Sequence, residues 1–134
     1  MAEKIRILVA DDHWHVRQGL RRLLQQTEDI LVVGEAGDGE EAVELAQKLR
    51  PHVVVMDITM PKMDGLQALA HIQKRQIPTR VVMLSMHASP DFVRAARRQG
   101  ASGYVLKRAI AQELTSAIRA ARRGETYFTK IPGT

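Results

Sequence analysis

Five polar residues of this sequence stand directly after runs of apolar residues, where buried strands would end. The five are Asp11, Asp12, Asp57, Ser85 and Lys107. Side chains at such strand ends are exposed along one edge of a sheet, where open α/β folds bind their ligands. Clustered carboxylates raise one another's pKa unless a cation relieves them. Three carboxylates and one ammonium group leave two negative charges, which one divalent cation would neutralise.

The residue types in this group favour phosphoryl chemistry. Oxygen ligands in a chain without cysteine favour Mg²⁺, with Mn²⁺ as a second choice, over zinc. A carboxylate beside such a metal can attack phosphorus and form an aspartyl-phosphate. An ammonium group and a hydroxyl group can stabilise the transferring phosphoryl group. The pattern therefore predicts Asp57 as nucleophile, with Lys107 and Ser85 at the phosphoryl oxygens.

The apolar runs alternate with helical patterns along nearly the whole chain. Continuous apolar runs predict strands buried on both faces, and the amphipathic stretches between them predict helices. The fold class is therefore α/β, with a doubly wound five-stranded parallel sheet, flavodoxin-like order 2-1-3-4-5 and helices on both faces. This order makes strands 1 and 3 neighbours. The predicted strands are 5–10, 30–33, 53–56, 80–84 and 104–106, and only the tail from about Gly124 falls outside the pattern.

Composition indicates an ordinary globular domain, with 45% hydrophobic and 26% charged residues. No stretch has the length or apolar character of a membrane span or a signal peptide, so we expect a cytoplasmic protein without a membrane partner. Basic residues concentrate toward the end, where nine Lys and Arg stand against two acidic residues from position 92 onward. Two predicted helix faces carry this charge: Arg94, Arg97 and Arg98, and Arg119, Arg122 and Arg123. They are either solvated, part of an interface, or contacts for DNA phosphates.

Four motifs follow one another along the chain: "ILVADDH", "VVMDITMPKMDG", "VVMLS" and "GASGYVLK". In this order they resemble the response regulator receiver domain of two-component systems. The sequences of these motifs are most similar to those of the NarL/FixJ-like branch, which has a LuxR-type helix-turn-helix output domain. The resemblance extends to about Phe128, which predicts a receiver domain over 1–128 and the start of an interdomain linker or tail over 129–134. No helix-turn-helix fits in what remains, so the chain is either an excised domain or a single-domain regulator.

The resemblance implies that a sensor histidine kinase passes its phosphoryl group to Asp57. Ser85 and Lys107 would contact the phosphoryl oxygens. Tyr104 would turn inward as Ser85 moves and alter the surface of helix 4, strand 5 and helix 5. Helix 4 is the predicted helix that starts after Ser89, and helix 5 is the last one, which buries Leu114 and Ala121. A half-buried strand aromatic is the simpler interpretation of Tyr104. The implied Mg²⁺ ligands are Asp11, Asp12, Asp57 and the backbone carbonyl of Thr59.

The resemblance also implies how the protein would act. It would control transcription through a DNA-binding domain, and it would bind DNA only through that domain. We expect a homodimer, and whether phosphorylation drives its formation stays open. The protein would not be an enzyme, because it assists only its own phosphorylation and dephosphorylation.

Two residues near the predicted site depart from the wider family. Met86 is bulkier than the alanine or glycine of members that lose phosphate quickly, so Met86, together with Thr59, is expected to restrict water and slow dephosphorylation. Trp14 stands where a proline is more usual, and it either overhangs the acidic pocket or lies beside it.

Other functions compete with this interpretation. A haloacid-dehalogenase-like, Mg²⁺-dependent phosphatase also uses an aspartate after a strand, but that family has a second acid two residues later, where this chain has Thr59. The stretch from Gly37 to Ala42 matches the dinucleotide pattern G-x-G-x-x-A. It follows the second predicted strand rather than the first, and Glu40 and Glu41 would repel a pyrophosphate, so a helix cap explains it better.

Overall fold

A computed structural model describes residues 3–134 as one parallel sheet flanked by helices on both faces. The strand order is β2-β1-β3-β4-β5-β6, so the predicted order of the first five strands is confirmed. The strands are β1 Ile5–Ala10, β2 Ile30–Ala36, β3 Val53–Asp57, β4 Arg80–Ser85, β5 Gly103–Leu106 and β6 Tyr127–Phe128. The helices are α1 Trp14–Gln25, α2 Gly39–Leu49, α3 Gly65–Lys74, α4 Pro90–Arg98 and α5 Ile110–Arg122, with a short 3-10 helix at Lys107–Ala109. Over this described range, no helix combines the length and hydropathy needed to cross a bilayer.

The sheet separates two apolar clusters, which is why its central strands are continuous apolar runs. Successive side chains of a strand point to opposite faces. Val54 and Met56 of β3 therefore join one cluster, which α2, α3 and α4 complete. Val53 and Val55 join the other, which α1 and α5 complete. Burial on both faces fixes the register of β3 and with it the place where Asp57 leaves the core.

Local capping contacts set the starts of three helices near the carboxyl ends of the strands. Asp38 accepts a hydrogen bond from the Glu41 backbone N–H, which supports the capping interpretation of the glycine-rich stretch. Asp64 and Gln67 form a reciprocal capping box at α3. Ser89 caps α4 by accepting a hydrogen bond from the Phe92 backbone N–H over 3.2 Å. Each such cap contributes about 1 kcal/mol.

The C-terminal segment adds a sixth strand that the sequence did not predict. Tyr127 and Phe128 pair in parallel with β5, and the Thr129 N–H donates to the Tyr104 carbonyl over 2.9 Å. Ile131 is only 6% exposed and joins the cluster on the α4 side of the sheet. The Arg97 guanidinium lies 4.0 Å from the centre of the Phe128 ring. Residues 129–134, predicted as linker or tail, thus lie against the domain.

Candidate functional site

The three predicted carboxylates meet at the carboxyl ends of β1 and β3. These strands are hydrogen-bonded neighbours, with Ala10 opposite Met56, so the residues that follow them lie side by side. Asp11 is fully buried and Asp57 is 4% exposed, whereas Asp12 is exposed. Ligand atoms of Asp11, Asp12, His13 and Asp57 all lie within 4.8 Å of one another. The proximity predicted from strand order is therefore present.

Lys107 connects the two buried carboxylates. It follows β5 and reaches past the end of β4, placing Nζ 2.7 Å from Asp11 Oδ2 and 3.0 Å from Asp57 Oδ2. Burial raises the pKa of Asp57, and the hydrogen bond from Lys107 opposes that rise. Burial lowers the pKa of Lys107, but its hydrogen bonds with Asp11 and Asp57 raise it above its ordinary value overall. The ammonium group therefore stays charged and partly compensates the carboxylates.

The donor set fits a hard divalent cation. Three carboxylates and one ammonium leave two negative charges, and carboxylate oxygens are ligands that Mg²⁺ prefers. The His13 imidazole, which the sequence did not single out, adds a nitrogen 3.3 Å from Asp11 Oδ1 and 3.2 Å from Asp12 Oδ1. Its side chain is 67% exposed, so His13 lies at the rim of the cluster. An acidic pocket of this composition matches the cation site that receiver domains generally have.

The loop after β3 is folded tightly against Asp57. The Thr59 N–H donates to Asp57 Oδ1 over 3.2 Å, and the Gly65 N–H donates to the Ile58 carbonyl over 2.7 Å. A Cβ atom on Gly65 would lie 2.4 Å from the Asp57 carbonyl oxygen, so only glycine allows α3 to start this close to the strand end. The loop therefore fixes the Asp57 backbone, while the Thr59 carbonyl as a metal ligand stays a prediction.

Ser85 and Tyr104 are linked through the backbone of His87. Ser85 Oγ accepts from the His87 N–H over 3.0 Å and lies 3.2 Å from the His87 carbonyl, to which it donates. The Tyr104 hydroxyl donates to the same carbonyl over 3.0 Å. Tyr104 is fully buried rather than half-buried, and burial raises its pKa. Its side chain already lies inward in this structure, so its movement as a switch stays a prediction.

Two exposed apolar side chains lie near the site in sequence: Trp14 comes shortly after β1, and Met86 comes directly after β4. Trp14 is 59% exposed and meets the His15 ring edge-on at 5.1 Å, so it is not buried among the carboxylates. Met86 directly follows Ser85 and is 70% exposed. Its expected effect on water access stays a prediction.

The basic helix faces are partly neutralised within the domain. The Arg119 guanidinium makes two hydrogen bonds of 2.9 Å with the Asp29 carboxylate, and this pairing lowers the pKa of Asp29. Arg94 pairs with Asp91 at 2.6 Å and also donates to the Gly133 carbonyl. These contacts give several of the arginines a structural role inside the chain.

The sequence did not predict the residues that hold the backbone of the Asp11 loop. Arg17 of α1 donates to the Asp11 carbonyl over 2.5 Å and lies 3.3 Å from a carboxylate oxygen of Glu35 on β2. The sequence shows Arg17 only as a polar position on an amphipathic helix. Its partner becomes visible once β2 is placed beside β1, because that pairing sets Glu35 opposite Val9.

Comparisons with known proteins agree with this architecture. The family model of the response regulator receiver domain matches residues 7–119. The chain is 40% identical over 129 residues to the transcriptional regulatory protein YxjL of Bacillus subtilis, and the match covers 96% of the chain and 59% of that protein. The chain thus spans somewhat more than half the length of such relatives.

Solved structures of response regulators have the same fold as this chain. The signal receiver domain of NarL from Mycobacterium tuberculosis is 40% identical, with a TM-score of 0.89 over 92% of this chain and 100% of that one. A structure described as two RcsB dimers bound to two parallel DNAs is 29% identical, with a TM-score of 0.86 over 96% of this chain and 65% of that one. Fold, motif order and family match agree: the chain belongs to the response regulator receiver domain family of two-component systems, in its NarL/LuxR-type branch.

Proposed function

We propose that Asp57 is the phosphoacceptor of this receiver domain and takes its phosphoryl group from a phosphohistidine of a sensor histidine kinase. The observation that carries the proposal is the contact of one ammonium group, Lys107 Nζ, with both Asp57 and the fully buried Asp11. A nucleophilic carboxylate with an adjacent cation and further carboxylates is the arrangement that phosphoryl transfer to aspartate needs.

The residues of the site have distinct tasks in this transfer. A bond from an Asp57 carboxylate oxygen to phosphorus forms while the phosphorus–nitrogen bond of phosphohistidine breaks, and the imidazole keeps the electron pair. The Lys107 ammonium stabilises the negative charge on the carboxylate first and then on the phosphoryl oxygens. The Thr59 N–H keeps Asp57 oriented. Ser85 reaches a phosphoryl oxygen once its Oγ leaves the His87 backbone.

A divalent cation, Mg²⁺ or Mn²⁺, completes the site. Its ligands would be the carboxylates of Asp11, Asp12 and Asp57 and the carbonyl of Thr59. When bound, it neutralises charge on the transferring phosphoryl group. Carboxylate oxygens of Asp11, Asp12 and Asp57 lie within 4.8 Å of one another, which supports the three carboxylate ligands of this assignment.

The change at the signalling surface starts when Ser85 loses its hydrogen bonds with the His87 backbone. The side chains of Ser85 and Tyr104 both donate to the His87 carbonyl. When Ser85 Oγ moves away, only the Tyr104 hydroxyl remains as a donor from this pair. The loop leads into α4, so the surface of α4, β5 and α5 changes. The proposal includes homodimerisation and control of transcription through a DNA-binding domain. It is supported by a relative described as a transcriptional regulatory protein and by RcsB dimers described as bound to DNA. Action by protein–protein contacts alone is the second candidate. We expect no catalysis beyond the protein's own phosphorylation and dephosphorylation.

Intact-protein mass spectrometry after incubation with acetyl phosphate and Mg²⁺ tests the proposal. Wild type is expected to gain one phosphoryl group, and EDTA is expected to prevent the gain. Asp57→Asn is expected to gain none. The matched control Asp91→Asn, an exposed position on α4, is expected to behave as wild type. Unchanged incorporation in Asp57→Asn would refute the assignment.

A further inference from the structure

A partly buried polar link ties the loop that carries Asp11 and Asp12 to helix α1 and strand β2. Arg17 is its centre: Nη1 donates to the Asp11 carbonyl over 2.5 Å, and Nε donates to Glu35 Oε1 over 3.3 Å. The Glu35 carboxylate is held in turn by Gln18 at 3.1 Å and by Arg21 at 2.6 Å. The Arg17 and Glu35 side chains are 17% and 21% exposed, so solvent screens this link only in part.

Besides Arg17, the Lys107 ammonium restrains the loop between β1 and α1, because it donates to Asp11 Oδ2 over 2.7 Å, but it does not contact the Asp11 backbone. Helix α1 has no side-chain cap at His13 and no acidic residue in its first turn. The Asp11 N–H is fixed by the Ala36 carbonyl, and its Oδ1 accepts from the His13 N–H. The Arg17 contact fixes the Asp11 carbonyl and therefore the peptide plane between Asp11 and Asp12.

We infer that Arg17, anchored by Glu35, is a positioning residue for the divalent-cation site. It would set the directions of the Asp11 and Asp12 carboxylates without touching the cation. The inference rests on the cation site of the proposed function and adds two residues to it. Outer-shell groups that orient ligands typically change metal affinity 10- to 100-fold when removed.

Electrostatics and positioning predict opposite results for one substitution. Arg17→Gln removes a positive charge close to the carboxylates, so a purely electrostatic role predicts tighter cation binding. Loss of positioning predicts weaker binding, because the Asp11 peptide is no longer held. Arg17→Lys keeps the charge, but its single ammonium group lacks the planar fork that reaches two acceptors. The positioning role therefore predicts weaker binding in Arg17→Lys as well.

The test measures Mn²⁺ binding by the electron paramagnetic resonance signal of the free ion. The set comprises wild type, Arg17→Gln, Arg17→Lys, Glu35→Gln and the double variant Arg17→Gln/Glu35→Gln. Arg22→Gln is the matched control, because it removes the same charge from an exposed position of the same helix. Thermal unfolding in EDTA, recorded for each variant, separates loss of fold from loss of affinity.

We expect Arg17→Gln and Glu35→Gln to weaken Mn²⁺ binding about 10-fold or more. The double variant should resemble Arg17→Gln, because both residues act through one link. Unchanged or tighter binding in folded Arg17→Gln, or equal weakening in Arg22→Gln, would overturn the inference. Absence of Mn²⁺ binding by wild type would instead refute the cation site of the proposed function and the inference with it.

Discussion

At the scale of single residues, the site is a balance between burial and charge compensation. Asp11 and Asp57 lie inside the protein, and one ammonium group serves both. The sequence predicted these partners because each follows a strand that the apolar runs define. It did not predict that Ser85 bonds the His87 backbone or that Tyr104 lies inward, because side-chain rotamers depend on tertiary neighbours.

Lys107→Met is expected to lower the free energy of unfolding by about 3 kcal/mol in EDTA, because it leaves two buried carboxylates without their cation. The additional change Asp57→Asn should recover part of the loss by removing one of those charges. Urea denaturation of the single and double variants measures both effects. Equal stability of Lys107→Met and wild type would show that solvent already compensates the carboxylates.

Met86→Ala is expected to shorten the lifetime of the phosphorylated state, because a smaller side chain beside the site admits water more readily. The half-life of the phosphorylated protein after removal of the phosphodonor measures this effect. Leu31→Ala, an exposed apolar position on β2, is the control and should leave the half-life unchanged. A Met86→Ala half-life equal to that of wild type would count against the role of Met86.

At the scale of elements, strands buried on both faces and capped helices set the site in place. Their existence was predictable because periodicity and capping residues are local signals, and the Ser89 cap illustrates this. The end of β2 at Ala36 and the two-residue β6 were not predicted. Gly34 and Glu35 weaken the apolar pattern of β2, and two residues are too few to show any period.

His52, just before β3, bonds the backbone of β1 and should make the free energy of unfolding depend on pH. His52 Nδ1 accepts a hydrogen bond from the Arg6 N–H over 2.9 Å, which requires an unprotonated nitrogen. Burial, with Arg122 and Arg6 nearby, lowers the pKa of His52 below 6.5, although Glu3 opposes the shift. Its contribution to stability is therefore complete above that value and is lost as the pH falls through the lowered pKa.

Urea denaturation at pH 7 and pH 5 checks this expectation. Wild type should lose more stability across that interval than His52→Gln, which cannot be protonated. His71→Gln, at an exposed position of α3, should lose as much as wild type. Identical losses in wild type and His52→Gln would contradict the assignment.

At the scale of the whole molecule, the C-terminal segment covers the edge of β5 and joins α4 to α5. Tyr127 and Thr129 hydroxyls donate to Glu113 of α5, while Arg94 of α4 donates to the Gly133 carbonyl. The strand order followed from the βα alternation and the handedness of crossovers. The docking of the segment did not, because it depends on an edge that exists only after the sheet has formed.

Ile131→Ala is expected to lower the free energy of unfolding by about 2 kcal/mol, because Ile131 is buried in the cluster on the α4 side of the sheet. Lys130→Ala, at the exposed neighbouring position, should change it by less than about 0.5 kcal/mol. Urea denaturation followed by circular dichroism provides the comparison. Equal stability of the two variants would mean that the segment is not docked in solution.

Whether Asp57 is the phosphoacceptor is tested by locating the phosphoryl group on the chain. Wild type is phosphorylated with acetyl phosphate and Mg²⁺, reduced with borohydride to convert an aspartyl-phosphate to homoserine, and digested for peptide sequencing by mass spectrometry. If Asp57 is the phosphoacceptor, homoserine is expected at position 57 and aspartate at positions 11 and 12. Homoserine at position 11 or 12, or phosphorylation that leaves Asp57 unmodified, would contradict that assignment.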